Sequence, residues 1–405
     1  MNFNEAVEWL YGTQVHGIRP GLETTWRLVD ALGVDPARLK FIHVAGTNGK
    51  GSVCAMLDSI CRAAGKKTGL FTSPHLITFR ERIRVDGELI GETEVASRLT
   101  VIRELTAGWE PVPTFFEITT ALALAHFQDA AVEIVVLETG MGGRLDSTNI
   151  VIPLVSVITP IELDHERWLG ATLAEIAAEK AGIIKPGVPV VSALQPDEAA
   201  AVIQHIAFQR KSPLHEITAP VEHARIGLAG SYQRWNAAVA IHALDHARLD
   251  VPLEAITRGL ASVTWPGRFQ RIGDRITLDG AHNPAAARCL VQTWREVFGE
   301  KKATLVLGVL KDKNVRGVCE ALLPIAARVL AVAVQNPRTS SAEEICEVVR
   351  DIAPDFQCAA SSGLTHALGN ANTFSDPILI AGSLFLVGEA LAFLHHESAA
   401  EVSAQ

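Results

Sequence analysis

The chain has 405 residues, of which 48% are hydrophobic and 20% charged, a balance that allows a sizeable core and excludes a disordered protein. Its formal net charge of -9 argues against a general nucleic-acid binder, because such proteins carry a basic surface. The N-terminal stretch lacks the apolar core of a secretory signal, and no stretch reaches the roughly 18 uninterrupted apolar residues of a membrane span. We therefore expect a cytoplasmic protein without nucleic-acid or membrane partners.

Short apolar strands alternate with amphipathic helices along the first two-thirds of the chain. Strands are predicted at 40–44, 67–71, 132–137, 154–158 and 188–191, and helices at 52–64, 92–106, 115–128, 171–181, 197–209, 233–247 and 252–261. This alternation predicts a parallel sheet covered by helices.

A second series of the same kind follows the Pro266-Gly267 turn. Its strands are predicted at 275–278, 303–308, 328–333 and 377–381, and its helices at 284–297, 314–323, 341–350 and 384–394. Because such a turn is a natural hinge, we predict two α/β domains, one at 1–265 and a smaller one at 266–405.

The stretch HVAGTNGKGS, residues 43–52, joins the first predicted strand to the first helix of this series. Its glycines let the backbone aim successive N–H groups at one point, and the helix adds its positive N-terminal end. Lys50 supplies a charge for phosphates, and the Ser52 hydroxyl suits Mg²⁺. The spacing departs from the Walker A pattern, so a structural glycine turn is the alternative. The order strand, loop, lysine, serine and helix favours a nucleotide site.

Two polar residues follow further strands of the predicted parallel sheet. Glu138 ends the strand in VVLETGMGGRLDSTN, where a carboxylate is typical of a Mg²⁺ ligand; an ordinary strand-end carboxylate is the alternative. His165, in TPIELDHERWLG, is a candidate ligand for a second metal ion, although a lone histidine is more often structural.

Three more stretches carry candidate functional residues. Lys180, in EIAAEKAGIIKPG, lies on an amphipathic helix, where a semi-buried cation is costly unless paired; a surface pair with a neighbouring glutamate is the alternative. Asn236, near the start of a long helix, suits a nucleotide contact or a helix cap. In the second domain Arg268 lies in the linker, and Asp279 and His282 follow a strand in LDGAHNPAAA.

Taken together and in this order, the motifs GTNGKGS, SPHL, LETGMGGRLDSTN, LDH, EKAGI, PGRFQ, DGAHNP and the late GS at 382–383 resemble the folylpolyglutamate synthase/dihydrofolate synthase family, relatives of the Mur cell-wall ligases. The resemblance runs from about residue 4 to residue 395. It implies a P-loop-type parallel-sheet ATPase domain followed by a smaller Rossmann-like α/β domain. It also implies a ligase in which ATP phosphorylates a folate-side carboxylate and the glutamate amine attacks the acyl phosphate.

The resemblance implies a role for each matching residue. Lys50, Lys180 and His282 are expected to be catalytic, and Lys180 matches a lysine that becomes carbamylated. The expected ATP-binding residues are Gly46, Thr47, Asn48, Gly49, Lys50, Gly51, Ser52, Asn236, Arg268 and Asp279. The expected ligands of two Mg²⁺ ions are Ser52, Ser73 and Glu138 for the first and His165 for the second. The expected substrate contacts are Phe115, Phe116, His282 and Ser383, although two phenylalanines in an apolar helix also suit a simple core.

The partners implied are ATP, L-glutamate and dihydropteroate or reduced folates, and we expect a monomer. A chain of this length is expected to be bifunctional, adding the first glutamate and then extending the chain. Extension alone is one alternative. A Mur-type cell-wall ligase is another, although those enzymes carry an additional N-terminal domain for the UDP group, whereas the ATP loop here begins by residue 46. A regulatory NTPase is a third, but it would not need the second domain with DGAHNP.

Overall fold

The computed structural model describes residues 1–17, 19, 21–396 and 400–401, so the end of the predicted second domain, 402–405, lies outside the described residues. The chain divides into two compact units. The first comprises residues 1–75, 79–227 and 234–263, and the second comprises 76–78, 228–233 and the chain from Thr264 onward. Segments 76–78 and 228–233, which the sequence division placed in the first domain, thus group with the second unit.

The first unit is built on an eight-stranded sheet. Its strands are β1 (Phe41–Ala45), β2 (Thr68–Phe71), β3 (Ile83–Val85), β4 (Glu88–Leu89), β5 (Ile134–Glu138), β6 (Val155–Ile158), β7 (Val190–Ser192) and β8 (Leu214–Glu216). The strand order is β4-β3-β2-β5-β1-β6-β7-β8, and all neighbours from β2 to β8 are parallel. Only β3 and β4 add to the sheet in antiparallel fashion.

Ten helices accompany this sheet within the described residues. They are α1 (Phe3–Gly12), α2 (Glu23–Ala31), α3 (Lys50–Ala63), α4 (Glu92–Leu105), α5 (Phe115–Asp129), α6 (Glu166–Leu169), α7 (Leu173–Ala181), α8 (Asp197–Gln209), α9 (Tyr232–His246) and α10 (Leu253–Ser262). Helices α1, α2, α4 and α5 bury apolar side chains in one cluster with β1, β2 and β5, while α7 and α8 contribute to another with β6 and β7. Helix α3 packs against β1, β2 and β5, and every residue of β1 and β5 is buried, as expected for strands covered on both faces.

The second unit contains a six-stranded sheet, in the order β13-β12-β11-β14-β10-β9. Its strands are β9 (Gln270–Ile272), β10 (Ile276–Leu278), β11 (Ala303–Leu307), β12 (Ala326–Ala331), β13 (Cys358–Ala360) and β14 (Ile378–Ala381). Its helices are α11 (Pro284–Phe298), α12 (Val315–Leu322), α13 (Ala342–Ile352), α14 (Leu364–Ala371) and α15 (Leu384–His395). All strand pairs are parallel except β9 with β10.

Segment 76–78 groups with the second unit because Leu76 is part of that unit's apolar core, together with Leu386 and Val387. Helix α15 approaches it very closely, since a Cβ at Gly388 would lie 2.0 Å from the Leu76 carbonyl oxygen. A side chain at position 388 would therefore separate the helix from this segment.

The predicted fold class, two α/β units on parallel sheets, is confirmed by these topologies. The elements that the sequence did not predict include α1, α2 and α14 and the short strands β3, β4, β8, β9 and β13. Strands β8, β9 and β13 lie at sheet edges and are half-buried or exposed, so they lack the apolar run that marks a buried strand. Among the helices of the described part of the chain, none combines the length and apolarity needed to cross a bilayer.

Gly69 lies in the middle of β2, directly beneath a buried aromatic ring. A Cβ at this position would lie 2.8 Å from Phe127 Cδ1, and Phe127 is fully buried and cannot move aside freely. We expect Gly69→Ala to lower the free energy of unfolding by about 1–3 kcal/mol through overpacking. Gly12→Ala is the matched control, because nothing lies within 4 Å of a Cβ there. Urea denaturation of both variants checks this, and equal midpoints would contradict it.

His43 lies in the interior of β1 and is fully buried. Burial lowers its pKa from 6.5 to about 3, and the charge of Lys185 acts in the same direction. Because the folded-state pKa is the lower one, its contribution to stability is complete above pH 6.5 and is lost as the pH falls toward 3.

We expect His43→Gln to reduce the loss of unfolding free energy between pH 7 and pH 5 by about 2 kcal/mol. His205→Gln, at an exposed position of α8, serves as the control and should keep the wild-type pH dependence. Urea titrations at the two pH values provide the measurement. If the unfolding free energy of His43→Gln changed with pH as it does in the wild type, His43 would not control this pH dependence.

Candidate active site

Three neighbouring strands of the first sheet, β5, β1 and β6, end at one level. Val44 of β1 is opposite Glu138 of β5, and Ala45 is opposite Ile158 of β6. The glycine-rich loop therefore emerges between Glu138 and the segment that follows β6. In parallel sheets this edge is where ligands bind.

The loop between β1 and α3 requires glycine at two positions. Gly46 has a φ of +148°, and a Cβ there would lie 1.8 Å from Thr159 Oγ1. Gly49 has a φ of +88°, and a Cβ there would lie 2.8 Å from Asn236 Oδ1. Both the backbone conformation and the close neighbours exclude larger residues, so the loop is held tightly against β6 and α9.

Two backbone amides of the loop are hydrogen-bonded within the protein. The N–H groups of Thr47 and Asn48 both donate to the Pro160 carbonyl oxygen, at 3.0 and 3.2 Å. The Thr47 hydroxyl also donates to the Glu162 carbonyl oxygen at 3.1 Å. These two residues therefore anchor the loop to the chain after β6, and the first turn of α3 supplies the amides suited to an anion.

Two lysine side chains meet at the carbonyl oxygen of Gly46. Lys50 Nζ donates to it at 3.0 Å and to the Thr47 carbonyl oxygen at 3.3 Å. Lys180 Nζ donates to the same Gly46 oxygen at 2.7 Å. Lys180 is only 4% exposed, so the alternative of a lysine in a surface pair is wrong. Its neighbour Glu179 instead pairs with Arg144, at 2.7 Å.

Glu138 ends β5, and Ser73 lies two residues after the end of β2. Because β2 and β5 are paired, the two residues are adjacent. The Ser73 N–H donates to Glu138 Oε2 at 3.1 Å. Glu138 and Ser52 are 3% and 1% exposed, and α3, which carries Ser52, packs against β5. A carboxylate with hydroxyl groups at the edge of the sheet is the oxygen donor set that Mg²⁺ prefers, so these residues fit a divalent cation.

His165 follows β6, which lies on the other side of β1 from β5, the strand that Glu138 ends. Because β5 and β6 both neighbour β1, their axes are about 10 Å apart. His165 has a left-handed φ of 53°, and its N–H donates to Asp164 Oδ1 at 2.8 Å. The metal-binding role predicted for His165 stays a prediction.

The loop after β5 is fixed by a chain of buried hydrogen bonds. The Thr148 hydroxyl donates to Asp146 Oδ1 at 2.5 Å, and His43 Nε2 lies 2.8 Å from the same hydroxyl. The Met141 N–H donates to Asp146 Oδ2 at 2.9 Å. Burial raises the pKa of Asp146, while these hydrogen bonds act in the opposite direction. Asp146 therefore holds the loop in place.

This loop also positions the helix that carries Lys180. The Arg144 N–H donates to the Glu179 carbonyl oxygen at 2.7 Å, and a Cβ at Gly143 would lie 2.7 Å from the Lys180 carbonyl oxygen. Asn149 Nδ2 bridges the carbonyl oxygens of Arg144 and Gly182, at 3.0 and 3.1 Å. The glycines of GMGGR allow this close packing.

The two phenylalanines predicted to contact the substrate differ in their surroundings. Phe115 is 3% exposed, and Tyr11 stacks on it with centroids 5.7 Å apart and an interplanar angle of 7°. Phe115 is part of the apolar core of the first unit, the alternative that the sequence left open, and its contact with substrate stays a prediction. Phe116 is half-buried, and a Cβ at Gly140 would lie 2.5 Å from its Cζ.

A buried polar group that the sequence pattern does not reveal lies beside Phe115. Arg82 is fully buried, and its Nε donates to His75 Nδ1 at 2.8 Å. His75 Nε2 lies 3.3 Å from the Tyr11 hydroxyl, and the Arg82 guanidinium lies 5.1 Å from the Phe115 ring centroid. The stretch FRERIRV contains three arginines, and nothing in its pattern marks one as buried.

In the second unit, the predicted residues gather at the end of β10. Asp279 accepts hydrogen bonds from the N–H groups of Phe269 and Ala281, both at 2.8 Å. Burial raises the pKa of Asp279, and the charge of Arg268 opposes this shift. His282 Nδ1 donates to the Gly280 carbonyl oxygen at 2.8 Å, because a carbonyl only accepts.

Ser383 and Asn236 lie at defined positions of helices. Ser383 is the N-cap of α15, with its hydroxyl accepting from the Phe385 N–H at 3.1 Å. Asn236 lies within α9 and packs on Gly49, so its predicted alternative as a helix cap is wrong. The substrate contact predicted for Ser383 stays a prediction.

Comparison with known proteins agrees with this arrangement. The profile of the Mur ligase middle domain matches residues 44–201, and that of the Mur ligase, glutamate ligase domain matches residues 267–384. The dihydrofolate synthase/folylpolyglutamate synthase of Bacillus subtilis is 34% identical over an alignment of 421 positions, which covers 96% of this chain and 98% of that protein.

Solved structures show the same similarity. E. coli FolC in complex with DHPP and ADP is 32% identical, with a TM-score of 0.86 over 96% of this chain and 98% of that one. A bifunctional folylpolyglutamate synthase/dihydrofolate synthase with Mn, AMPPNP and L-glutamate bound is 31% identical, with a TM-score of 0.86 over 96% of this chain and 98% of that one. The family predicted from the motifs is thereby confirmed: this chain belongs to the dihydrofolate synthase/folylpolyglutamate synthase family of Mur-type ligases.

Proposed function

We propose that this chain is an ATP-dependent ligase that forms an amide between L-glutamate and dihydropteroate, and between L-glutamate and folate (poly)glutamates. The observation that carries the proposal is the meeting of Lys50 and Lys180 at the Gly46 carbonyl, beside a carboxylate suited to a divalent cation. The ligands named for the related structures, ADP, AMPPNP, DHPP, Mn and L-glutamate, support the same substrates.

The proposed reaction has two steps, each with a defined transfer. The carboxylate of the folate substrate attacks the γ-phosphorus of ATP, the bond to the β-γ bridging oxygen breaks, and ADP leaves. The glutamate amine then attacks the acyl carbon, phosphate leaves, and the amine loses a proton. Both steps gather negative charge on phosphate oxygens, so fixed positive groups are the main requirement.

The first unit supplies these positive groups. The amides of the first turn of α3 and the Lys50 ammonium bind the phosphates; Lys50 exchanges its two loop carbonyls for phosphate oxygens when nucleotide binds. Ser52, Ser73 and Glu138 would hold one Mg²⁺, and His165 would contribute to a second. When bound, such ions neutralise phosphate charge. Asn236 positions the loop through Gly49 and contacts the nucleotide.

Lys180 is proposed to become carbamylated, as the family resemblance implies. Starting from the ammonium form, the modification forms a bond between Nζ and the carbon of CO₂ and releases two protons. It replaces a buried cation by an anion, which suits a place near metal ions and Lys50. Its present partner, the Gly46 carbonyl, would then lose a charged donor.

In the second unit, Arg268, Asp279, His282 and Ser383 are proposed to bind nucleotide and substrate. Because His282 Nδ1 is held by the Gly280 carbonyl, Nε2 is the ring atom that can accept a proton. Asp279 is held by two backbone amides and keeps the Arg268 stretch in place. We further propose that the enzyme is a cytoplasmic monomer, which size-exclusion chromatography tests for the assembly state.

Product analysis tests the proposed function. The full chain is incubated with ATP, Mg²⁺ and glutamate, and with dihydropteroate or a folate monoglutamate in parallel reactions. We expect ADP release that depends on both the folate-type substrate and glutamate, with glutamylated products in both reactions. Products only in the reaction with the folate monoglutamate would indicate an enzyme that extends the glutamate chain but does not add the first glutamate. ATP turnover independent of both substrates would refute a ligase.

Replacing Lys50 tests the phosphate loop. We expect Lys50→Ala to lower kcat/KM for ATP by at least about 10²–10³-fold, because a charged donor to the transferred phosphoryl group is lost. Lys67→Ala, at an exposed position, is the control and should keep full activity. Steady-state ADP release measures both variants. A near-normal rate in Lys50→Ala would remove Lys50 from the mechanism.

Replacing Lys180 tests carbamylation separately from activity. Isotope-labelled bicarbonate should give a carbamate carbon-NMR signal in the wild type and in Lys67→Ala, but not in Lys180→Ala. Lys180→Ala should also lose activity, and short carboxylates should restore part of it by replacing the missing anion. Absence of the carbamate signal in an active wild-type sample would overturn the modification.

A further inference from the structure

Three histidines outside the candidate active site lie together in the first unit. His215 is in β8, the edge strand of the eight-stranded sheet, and His242 and His246 are on α9. The two helical residues are four positions apart, so their side chains lie on the same face, one turn from each other. The sequence carries this spacing as HALDH, and none of the motifs above includes it.

The imidazole ring of His215 contacts those of His242 and His246. The centroid of His215 lies 4.6 Å from that of His242, with an interplanar angle of 30°, and 4.7 Å from that of His246, with an angle of 44°. One ring nitrogen of each residue lies within 4.8 Å of the others. In the described part of the chain, this is the one group of three His, Cys, Asp or Glu side chains with such spacing.

The rings are placed so that they can act as ligands. All three residues are half-buried, so an ion from solvent can reach them. Burial lowers the pKa of His242, and the neighbouring His215 and His246 act in the same direction. A lower pKa favours the neutral imidazole, which is the form that binds metal ions.

We propose that His215, His242 and His246 form a binding site for a transition-metal ion of the Zn²⁺ class. Zn²⁺–nitrogen distances of about 2.0–2.1 Å in a tetrahedron require ligand nitrogens about 3.4 Å apart, so small side-chain rotations complete the site. Three imidazoles leave a fourth position for water. An all-imidazole set favours Zn²⁺, Cu²⁺ or Ni²⁺ over Mg²⁺, which separates this site chemically from the oxygen ligands around Glu138.

The location suggests what the ion does. It links an edge strand, held by β7 on one side only, to the C-terminal half of α9. The N-terminal half of the same helix carries Asn236, which packs on Gly49 of the nucleotide loop. A metal at the histidines therefore fixes the helix that supports the loop, and it takes no part in the ligation itself.

Metal titration of the full chain tests the site. Chelator-treated protein is titrated with Zn²⁺ without nucleotide, and with Co²⁺ as a spectroscopic probe. We expect one equivalent of Zn²⁺ to bind and raise the thermal unfolding temperature, and Co²⁺ to show the visible absorption of a tetrahedral site. His215→Gln and His246→Gln, on two different elements, should each weaken Zn²⁺ binding at least about 10-fold.

Two control variants make the result specific. His205→Gln replaces an exposed histidine of α8 and should bind Zn²⁺ as the wild type does. His165→Gln removes the histidine proposed for the active site and should also retain the Zn²⁺ equivalent. The unfolding temperatures of the metal-free variants show which of them are folded. One folded variant, His215→Gln or His246→Gln, is enough for the test. The proposal is overturned if the wild type binds no Zn²⁺, if the folded cluster variants bind it unchanged, or if only His165→Gln loses it.

Discussion

The Gly46 carbonyl oxygen accepts hydrogen bonds from two lysine ammonium groups, Lys50 at 3.0 Å and Lys180 at 2.7 Å. Two cations at one carbonyl are possible only because the loop backbone is turned so that this oxygen faces both side chains. Gly46 achieves this with a φ of +148°, in a place where a Cβ would collide with Thr159. The position of both charges thus depends on a residue without a side chain.

Much of the surrounding structure serves to maintain this arrangement. The loop amides of Thr47 and Asn48 bind the chain after β6, and Asn236 packs on Gly49 from α9. The loop around Asp146 holds the end of α7, which brings Lys180 under the glycines. Buried polar groups such as His43, Thr148 and Asp146 are costly unless they are hydrogen-bonded, and each of these has at least one partner in this network. Because any other loop conformation would leave these buried groups without hydrogen bonds, the network holds the loops in one conformation.

The strand order explains why distant parts of the chain meet at this edge. Because β1 lies between β5 and β6, residues about a hundred positions apart become neighbours: Val44 is opposite Glu138, and Ala45 is opposite Ile158. From β1 the chain continues to β2 on one side of β1, and from β5 it crosses to β6 on the other side. Such a reversal leaves a crevice at the carboxyl ends of the strands. Glu138 and the segment that leads to His165 follow strands on opposite sides of β1 for the same reason.

The central strands and long helices could be predicted from the sequence, because each shows an apolar run or a helical period that burial imposes. The edge strands β8, β9 and β13 could not, since one side of each faces away from the sheet and their side chains are partly exposed. Phe115 and Phe116 look equivalent in the sequence, yet Tyr11, more than a hundred residues away, covers only Phe115. Arg82 is indistinguishable from its neighbouring arginines until the fold buries it beside His75.

The sequence by itself determined the α/β class, the family and the residues of the phosphate loop, since these depend on local periodicity and on motifs of fixed spacing. Only the tertiary structure decided that Lys180 is buried against Gly46, that Thr47 and Asn48 face Pro160, and that His215 meets His242 and His246. These contacts join residues from 27 to 134 positions apart. Local sequence carries no record of such distances, because strand order and helix packing set them.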